Sequence, residues 1–266
     1  MSYIQSILLG ALQGIAEFLP ISSSGHLEVL QHIMSLENIP VLYDVFLHVA
    51  TLLAVVIVFR KRIAALFGAF FRLCARKNTP EDKPQLTMIW GTILATVITA
   101  VVGLSLKKVL PQNQSMLFIG ICFICTAIIL VLSEFIFSKI AEKKELNIKN
   151  SAIIGLAQGI GTLSGISRSG ITISTSLFCG IDRKTAGEFS FILSIPAILG
   201  AFIIELKDAD ILTNNISWGV IIAGCVSAFV FGIVALKLLL KLIQKGSLSY
   251  FAWYLIPLGL CCIIFF

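Results

Sequence analysis

Glu17 follows Gln13 by four residues, so on a helix the carboxylate and the amide share one face. A carboxylate inside an apolar segment costs about 2.5–3.5 kcal/mol unless it is paired or binds a cation. A carboxylate with an amide oxygen suits a hard divalent ion, Mg²⁺ or Ca²⁺. The competing reading is a helix-end carboxylate that caps backbone amides. The run Ser22, Ser23, Ser24, Gly25 and His26 comes next. Hydroxyls and free backbone N–H groups at such a turn form an anion nest, above all where a helix starts. The same run can also be an ordinary loop. His26 exchanges protons near neutral pH, and its closeness in sequence to Glu17 favours function over mere structure.

A second cluster reads Gly165-Ile166-Ser167-Arg168-Ser169-Gly170-Ile171-Thr172. Arg168 is the only charge between Lys149 and Asp182. A guanidinium in apolar surroundings needs an anion. The hydroxyls of Ser167, Ser169 and Thr172 complete a phosphate cradle. The alternative is an internal salt bridge, with Glu17 as the obvious partner, and a bridge in the empty site is compatible with phosphate in the full one. The combined set handles a phosphorylated ligand. Arg168 neutralises phosphate charge, a metal bridges oxygens, and a hydroxyl or water attacks while His26 or Glu17 moves protons. Water, a serine hydroxyl and His26 all remain open as nucleophile.

Other polar residues read as support. Asp44 and His48 share a helix face, and Glu188 takes the corresponding place in the second half, near Asp182 and Arg183. A hydrogen-bond shell suits these better than a direct role. Glu28, His32 and Glu37 read as polar surface at the outer interface. Cys122 and Cys125 form a C-x-x-C within an apolar run with no partner pair, which argues against a metal.

The elements that position these groups must lie in a membrane. Of 266 residues, 58% are hydrophobic and 13% charged, against about 25% charged in a soluble domain. Mean hydropathy is +0.99. These values exclude a soluble globular domain, a disordered chain and a disulfide scaffold. The net charge of +6 reads as loop bias toward the cytoplasm, and no nucleic-acid partner is expected. No basic stretch precedes an apolar run at the N-terminus, so no cleaved signal peptide is expected. Charge-free runs at 84–106, 109–133, 211–236 and 246–266 are long enough to span, and 45–59 and 189–204 span with polar ends. That makes six crossings. The basic stretch 60–85 contains an amphipathic segment, Ile63 to Cys74, suited to the inner leaflet.

Residues 4–34 and 151–180 are apolar but broken by glycine, proline and polar residues. They suit re-entrant helix–loop–helix hairpins buried in protein. At an offset of 145 residues, Gly10, Gln13, Gly14, Ile15, Ile21, Ser22, Ser24 and Gly25 match Gly155, Gln158, Gly159, Ile160, Ile166, Ser167, Ser169 and Gly170. Each copy is followed by three spans, an odd number, so the second copy must insert upside down. The expected fold is one all-α integral membrane domain, 1–266, with an inverted-topology repeat: 1–145 and 146–266. Basic residues in 60–85, in 138–150 and at the end of the fifth span place those segments in the cytoplasm and both termini outside. The loops 107–114 and 207–215 then lie outside, and the two hairpin loops meet near the midplane.

At the two motifs the sequence resembles the undecaprenyl-diphosphate phosphatase family, the bacitracin-resistance membrane phosphatases. The family pattern E/Q-x-x-x-E, then F-L-P-[IV]-S-S-[ST]-G-H, is similar to Gln13 through His26, and P-G-x-S-R-S-x-x-T to Ser164 through Thr172. Length, span count and repeat agree as well, so the resemblance covers essentially the whole chain. It implies a bacterial cytoplasmic (inner) membrane enzyme that converts undecaprenyl diphosphate to undecaprenyl phosphate. This recycles the carrier lipid for cell-wall peptidoglycan synthesis and confers bacitracin resistance. It implies metal binding or proton transfer by Glu17, with Gln13 as second ligand, and proton transfer or attack by His26. Ser22 and Ser23 fall in the stretch of the nucleophile or phosphate contact. Ser24, Gly25, Ser167, Arg168, Ser169 and Thr172 fall to the diphosphate. Two departures stand out. Gln13 replaces a Glu common in the family and cannot act as a base, and Ser164 replaces a Pro. A polyprenyl-phosphate translocator is the alternative, since inverted repeats suit alternating access. A channel is disfavoured because the polar residues cluster at one place. A homodimer stays open.

Overall fold

The computed structural model describes residues 1–36, 39–110, 114–141, 143–206, 216–246 and 248–265. Glu37 and the charges Lys207, Asp208 and Asp210, used above for surface and topology, lie outside the described residues, as do 111–113 of the loop 107–114. The described chain is all-helical, with one isolated bridge between Lys144 and Ile181 and no strand.

The first broken stretch forms α1 (Tyr3–Phe18) and α2 (Ser23–Ile33). Ser2 and Gln5 start α1 with a reciprocal capping box, each side chain bonding the other's backbone N–H. Pro20, which cannot continue a helix, lies just beyond its extended C-cap Leu19. Then come α3 (Val41–Val58), α4 (Arg60–Cys74), α5 (Lys83–Val109) and α6 (Met116–Ser138). α4 contains the expected amphipathic segment. Arg72 clamps Asp82 with two guanidinium nitrogens and ties the end of α4 to the start of α5.

The second broken stretch forms α7 (Ile148–Ile160) and α8 (Arg168–Phe178), followed by α9 (Arg183–Glu205), α10 (Trp218–Lys245) and α11 (Tyr250–Phe265). By length and composition, five helical stretches can cross a membrane: Val41–Val58, Pro80–Val109, Met116–Ser138, Arg183–Glu205 and Trp218–Lys245. Their outward faces are apolar, as at Val97, Val101, Ile222 and Val234. This is a multi-pass integral membrane protein. The sequence leads to six crossings, the sixth being the run 246–266 that holds α11. α11, with 16 residues, is the short one, about 24 Å at 1.5 Å per residue.

Small residues set the packing. α1 lies along α10, and a Cβ on Gly10 would collide with the carbonyl oxygen of Gly224. Ser6 Oγ donates to the Val220 carbonyl at 2.6 Å, and Ser227 Oγ to the Ile7 carbonyl at 2.8 Å. α7 lies in the same way along α5. A Cβ on Gly155 would come within 2.6 Å of Ala95 Cα, and Thr99 Oγ1 donates to the Gly155 carbonyl at 3.0 Å. Each hairpin therefore rests on a long helix from the other half of the chain. Without a hydrophobic drive between helices in lipid, close backbone approach and such hydrogen bonds hold the bundle together.

Gly10→Val should therefore separate α1 from α10 at a cost of about 1–3 kcal/mol. A lowered thermal midpoint in detergent checks this, with Gly200→Ala, which has open space around it, as the neutral control.

Candidate active site

The two hairpin tips meet. Gly165 N–H donates to Ser22 Oγ at 3.1 Å, and Arg168 Nη2 donates to Glu17 Oε1 at 2.6 Å. The meeting is close enough that a Cβ on Gly25 would stand 2.9 Å from the Gly165 nitrogen. Gly165 itself has φ +88, a conformation that glycine adopts without strain. Ser22 holds φ 69 without being glycine, a strained geometry kept by its surroundings. Its hydroxyl also caps α2 by accepting from Gly25 N–H. Ser167 caps α8 in the matching way, its hydroxyl accepting from Gly170 N–H at 3.0 Å. Two helix N-termini thus begin at the junction of the loops, and their dipoles favour an anion there.

Glu17 is 6% exposed, and three hydrogen-bond donors and the His48 imidazole surround its carboxylate. Arg168 takes Oε1. Ser23 Oγ at 2.6 Å and Gln13 Nε2 at 3.1 Å donate to Oε2, and His48 Nε2 stands 3.4 Å from it. Burial of the charge is offset by these partners. The internal salt bridge weighed for Arg168 is therefore present. It uses one terminal nitrogen only, and Nη1 is buried without a partner. The Gln13 carbonyl oxygen is likewise buried and unpartnered.

Ser23, not Ser22, is the hydroxyl set against Glu17. Ser22 ties the loops together. Ser24 Oγ lies 3.5 Å from Ser22 Oγ and is partly exposed. Gly25 packs against Phe123 and Gly165. Ser167 and Ser169 hydroxyls lie 3.3 Å apart, and Ser169 reaches the Leu19 carbonyl at 3.4 Å. Thr172 spends its hydroxyl on the Arg168 carbonyl at 2.8 Å and on Ser190 at 2.6 Å. Both bonds brace the start of α8.

His26 is buried, its Nδ1 2.7 Å from the Ser22 carbonyl and its Nε2 2.8 Å from Tyr254 OH. Asp44 and His48 are split in role. Asp44 accepts from Gln31 at 2.9 Å, whereas His48 reaches Glu17. His48 and Tyr254 are the site residues that sequence reasoning undervalued. His48 carried a faint signal, a polar pair on one face of an apolar span, and Tyr254 carried none. Glu28 bonds Ser164, the residue at the departure from Pro, and joins α2 to the second loop. Glu188 pairs with Arg62 at 3.2 Å, away from these groups.

The sequence matches the family described as bacitracin resistance protein BacA over residues 6–261. The chain belongs to this family. A relative from Treponema denticola, named undecaprenyl-diphosphatase, is 54% identical over 266 residues, covering 100% of this chain and 98% of that protein. Relatives of the same name from Methanosphaera stadtmanae and Borrelia garinii subsp. bavariensis are 37% and 38% identical, with 98% or more of each chain covered. Membership covers both motifs and the whole bundle that carries them.

Removing either side of the ion pair has unequal effects. Glu17→Ala leaves the Arg168 guanidinium buried without its counter-ion, at about 3–5 kcal/mol. Arg168→Ala leaves Glu17 with the Ser23 and Gln13 donors and should cost less. Thermal melts of the two single variants and the double variant check this order, with the double variant more stable than Glu17→Ala.

Proposed function

We propose that this protein hydrolyses undecaprenyl diphosphate to undecaprenyl phosphate and inorganic phosphate in the bacterial cytoplasmic membrane. It thereby recycles the carrier lipid for peptidoglycan synthesis and confers bacitracin resistance. The observation that carries the reading is the buried, unpartnered Nη1 of Arg168 beside a serine hydroxyl already bonded to Glu17. A buried donor without an acceptor is costly, and a phosphate oxygen removes that cost. The names of the 54% and 37% identical relatives support the substrate.

Ser23 is the nucleophile in this reading. Glu17 takes the Ser23 proton, and Oγ bonds to the terminal phosphorus. The bridging P–O bond breaks, and undecaprenyl phosphate leaves with the Ser23 proton, which Glu17 passes to its oxygen through His26 Nε2, restoring the carboxylate. Water then attacks the phosphoseryl phosphorus and gives a proton to Glu17, the Oγ–P bond breaks, and Glu17 returns that proton to Ser23 Oγ as inorganic phosphate leaves. Arg168 and the N-termini of α2 and α8 bear the phosphate charge throughout. A hydroxyl pressed on a carboxylate serves hydrolysis and adds nothing to carriage of an intact lipid, which favours the enzyme over the translocator.

A divalent cation, Mg²⁺ or Ca²⁺, fits the donor set. Glu17 and the unpartnered Gln13 oxygen would hold it, with substrate oxygens and water completing the shell. When bound, it supplies charge neutralisation for the phosphoryl group. With Gln13 in place of a second acid, the ligand set carries one formal charge.

The architecture proposed with this function is an inverted repeat of six crossings and two re-entrant hairpins, 1–145 and 146–266, with both termini outside and the site open to the outer face. Two observations support it. Helices α1 and α7 make like contacts with α10 and α5, and the paired caps Ser22 and Ser167 occupy matched positions.

Detergent-purified protein should release phosphate from undecaprenyl diphosphate, lose that release in EDTA, and regain it with Mg²⁺ or Ca²⁺. Arg168→Ala should reduce the rate by about 10²–10³-fold or more. No release from folded wild type would overturn the reading. Ser23→Ala should abolish turnover, whereas Ser22→Ala should keep it and lower the thermal midpoint, by roughly 1 kcal/mol for the lost loop tie.

A further inference from the structure

Tyr254 lies on α11, far from either motif in sequence, and its hydroxyl meets His26 Nε2 at 2.8 Å. The rings stack, with centroids 5.6 Å apart and planes 17° apart. Phe123 closes another side of the imidazole edge-to-face at 5.0 Å. At the other ring nitrogen, Nδ1 stands 2.7 Å from the Ser22 carbonyl. A carbonyl only accepts, so Nδ1 carries the hydrogen and donates. In the neutral ring Nε2 is then the acceptor, and the Tyr254 O–H donates to it.

Tyr254 is 49% exposed while His26 is 6% exposed. The tyrosine ring therefore forms the outer wall over the imidazole on the side of α11. α11 is held close by a mutual approach of Gly120 and Gly259, where a Cβ on either glycine would come within 2.7 Å of the other's carbonyl oxygen. That contact fixes the distance from which Tyr254 reaches inward.

We propose that Tyr254 is a positioning residue for the reaction: its hydroxyl and ring hold His26 in one orientation, with Nε2 as the nitrogen that exchanges the proton. The proposal rests on the proton-transfer role given to His26 above. A carbonyl at Nδ1 alone leaves the ring free to swing about that bond. The second contact, on the opposite nitrogen, and the stacked face remove that freedom. Misplacement of a reacting group by about 1 Å is enough to cost some 10²-fold in rate.

The test uses full-length protein in detergent with Tyr254→Phe, which keeps the ring and removes the hydroxyl, and His26→Gln as the reference. Turnover is measured on undecaprenyl diphosphate and on farnesyl diphosphate. The expected result for Tyr254→Phe is a kcat about tenfold lower on both substrates, KM within twofold of wild type, and an unchanged thermal midpoint. A second readout is independent of activity. The chain has three histidines, so ¹⁵N-histidine labelling, with His26→Gln as the assignment, isolates the His26 resonances. In Tyr254→Phe the Nε2 signal should move toward that of an unbonded imidazole nitrogen. Wild-type kcat with an unmoved Nε2 signal overturns the proposal, as does a KM rise confined to the long-chain substrate, which would make Tyr254 a lipid contact. An unimpaired His26→Gln removes the proton-transfer reading and the proposal with it. An inactive His26→Gln beside an unimpaired Tyr254→Phe removes the proposal alone.

Discussion

The ion pair of Glu17 and Arg168 is the constraint on which the rest of the site depends. Neither charge is tolerable alone in an apolar bundle, and each comes from a different hairpin. Their meeting at 2.6 Å requires both loops to reach the same place, and it orders what surrounds them. Ser23, Gln13 and His48 are drawn to the remaining carboxylate oxygen. The pair also leaves one guanidinium nitrogen unsatisfied, so the interaction that stabilises the junction also leaves a buried donor open there.

Close packing makes that meeting reproducible. α1 and α7 are each pressed onto a long helix of the opposite half through glycine-to-backbone contacts, so their ends cannot slide independently. The loops then have little freedom, and the strain at Ser22 is carried by the hydrogen bond that its hydroxyl accepts from Gly165. A larger side chain at Gly25 would meet Phe123 and the Gly165 nitrogen, and one at Gly165 would meet Cys122 and the Ile119 carbonyl, so either would push the loop tips off α6.

The two hairpins share a frame and divide the chemistry. Gly10, Gln13, Gly14, Ser22 and Gly25 have identical counterparts 145 residues on, and these set caps and close contacts. The positions that differ include the ionisable groups. Glu17, Ser23 and His26 correspond at that offset to Thr162, Arg168 and Ile171. One hairpin brings carboxylate, hydroxyl and imidazole, and the other brings the guanidinium. Gln158, the counterpart of Gln13, turns its amide to Thr99 and not to a carboxylate.

Sequence by itself determined the class of molecule, the two broken stretches, their likeness and the reactive residue types. All of these follow from local properties: hydropathy over a span, helix-breaking residues, and charges too costly to leave unpaired in an apolar segment. It also named Arg168 and Glu17 as natural partners, because each needs the other's sign. Tertiary structure alone decided which hydroxyl faces the carboxylate. Ser22 and Ser23 are neighbours of the same type, and only the strained turn at Ser22 sends one to the loop tie and the other to Glu17. It alone turned Thr172 inward to Ser190 and brought His48 and Tyr254 to the site. Those contacts join residues 31 and 228 positions apart in the chain, and no local pattern encodes a distance that packing between helices sets.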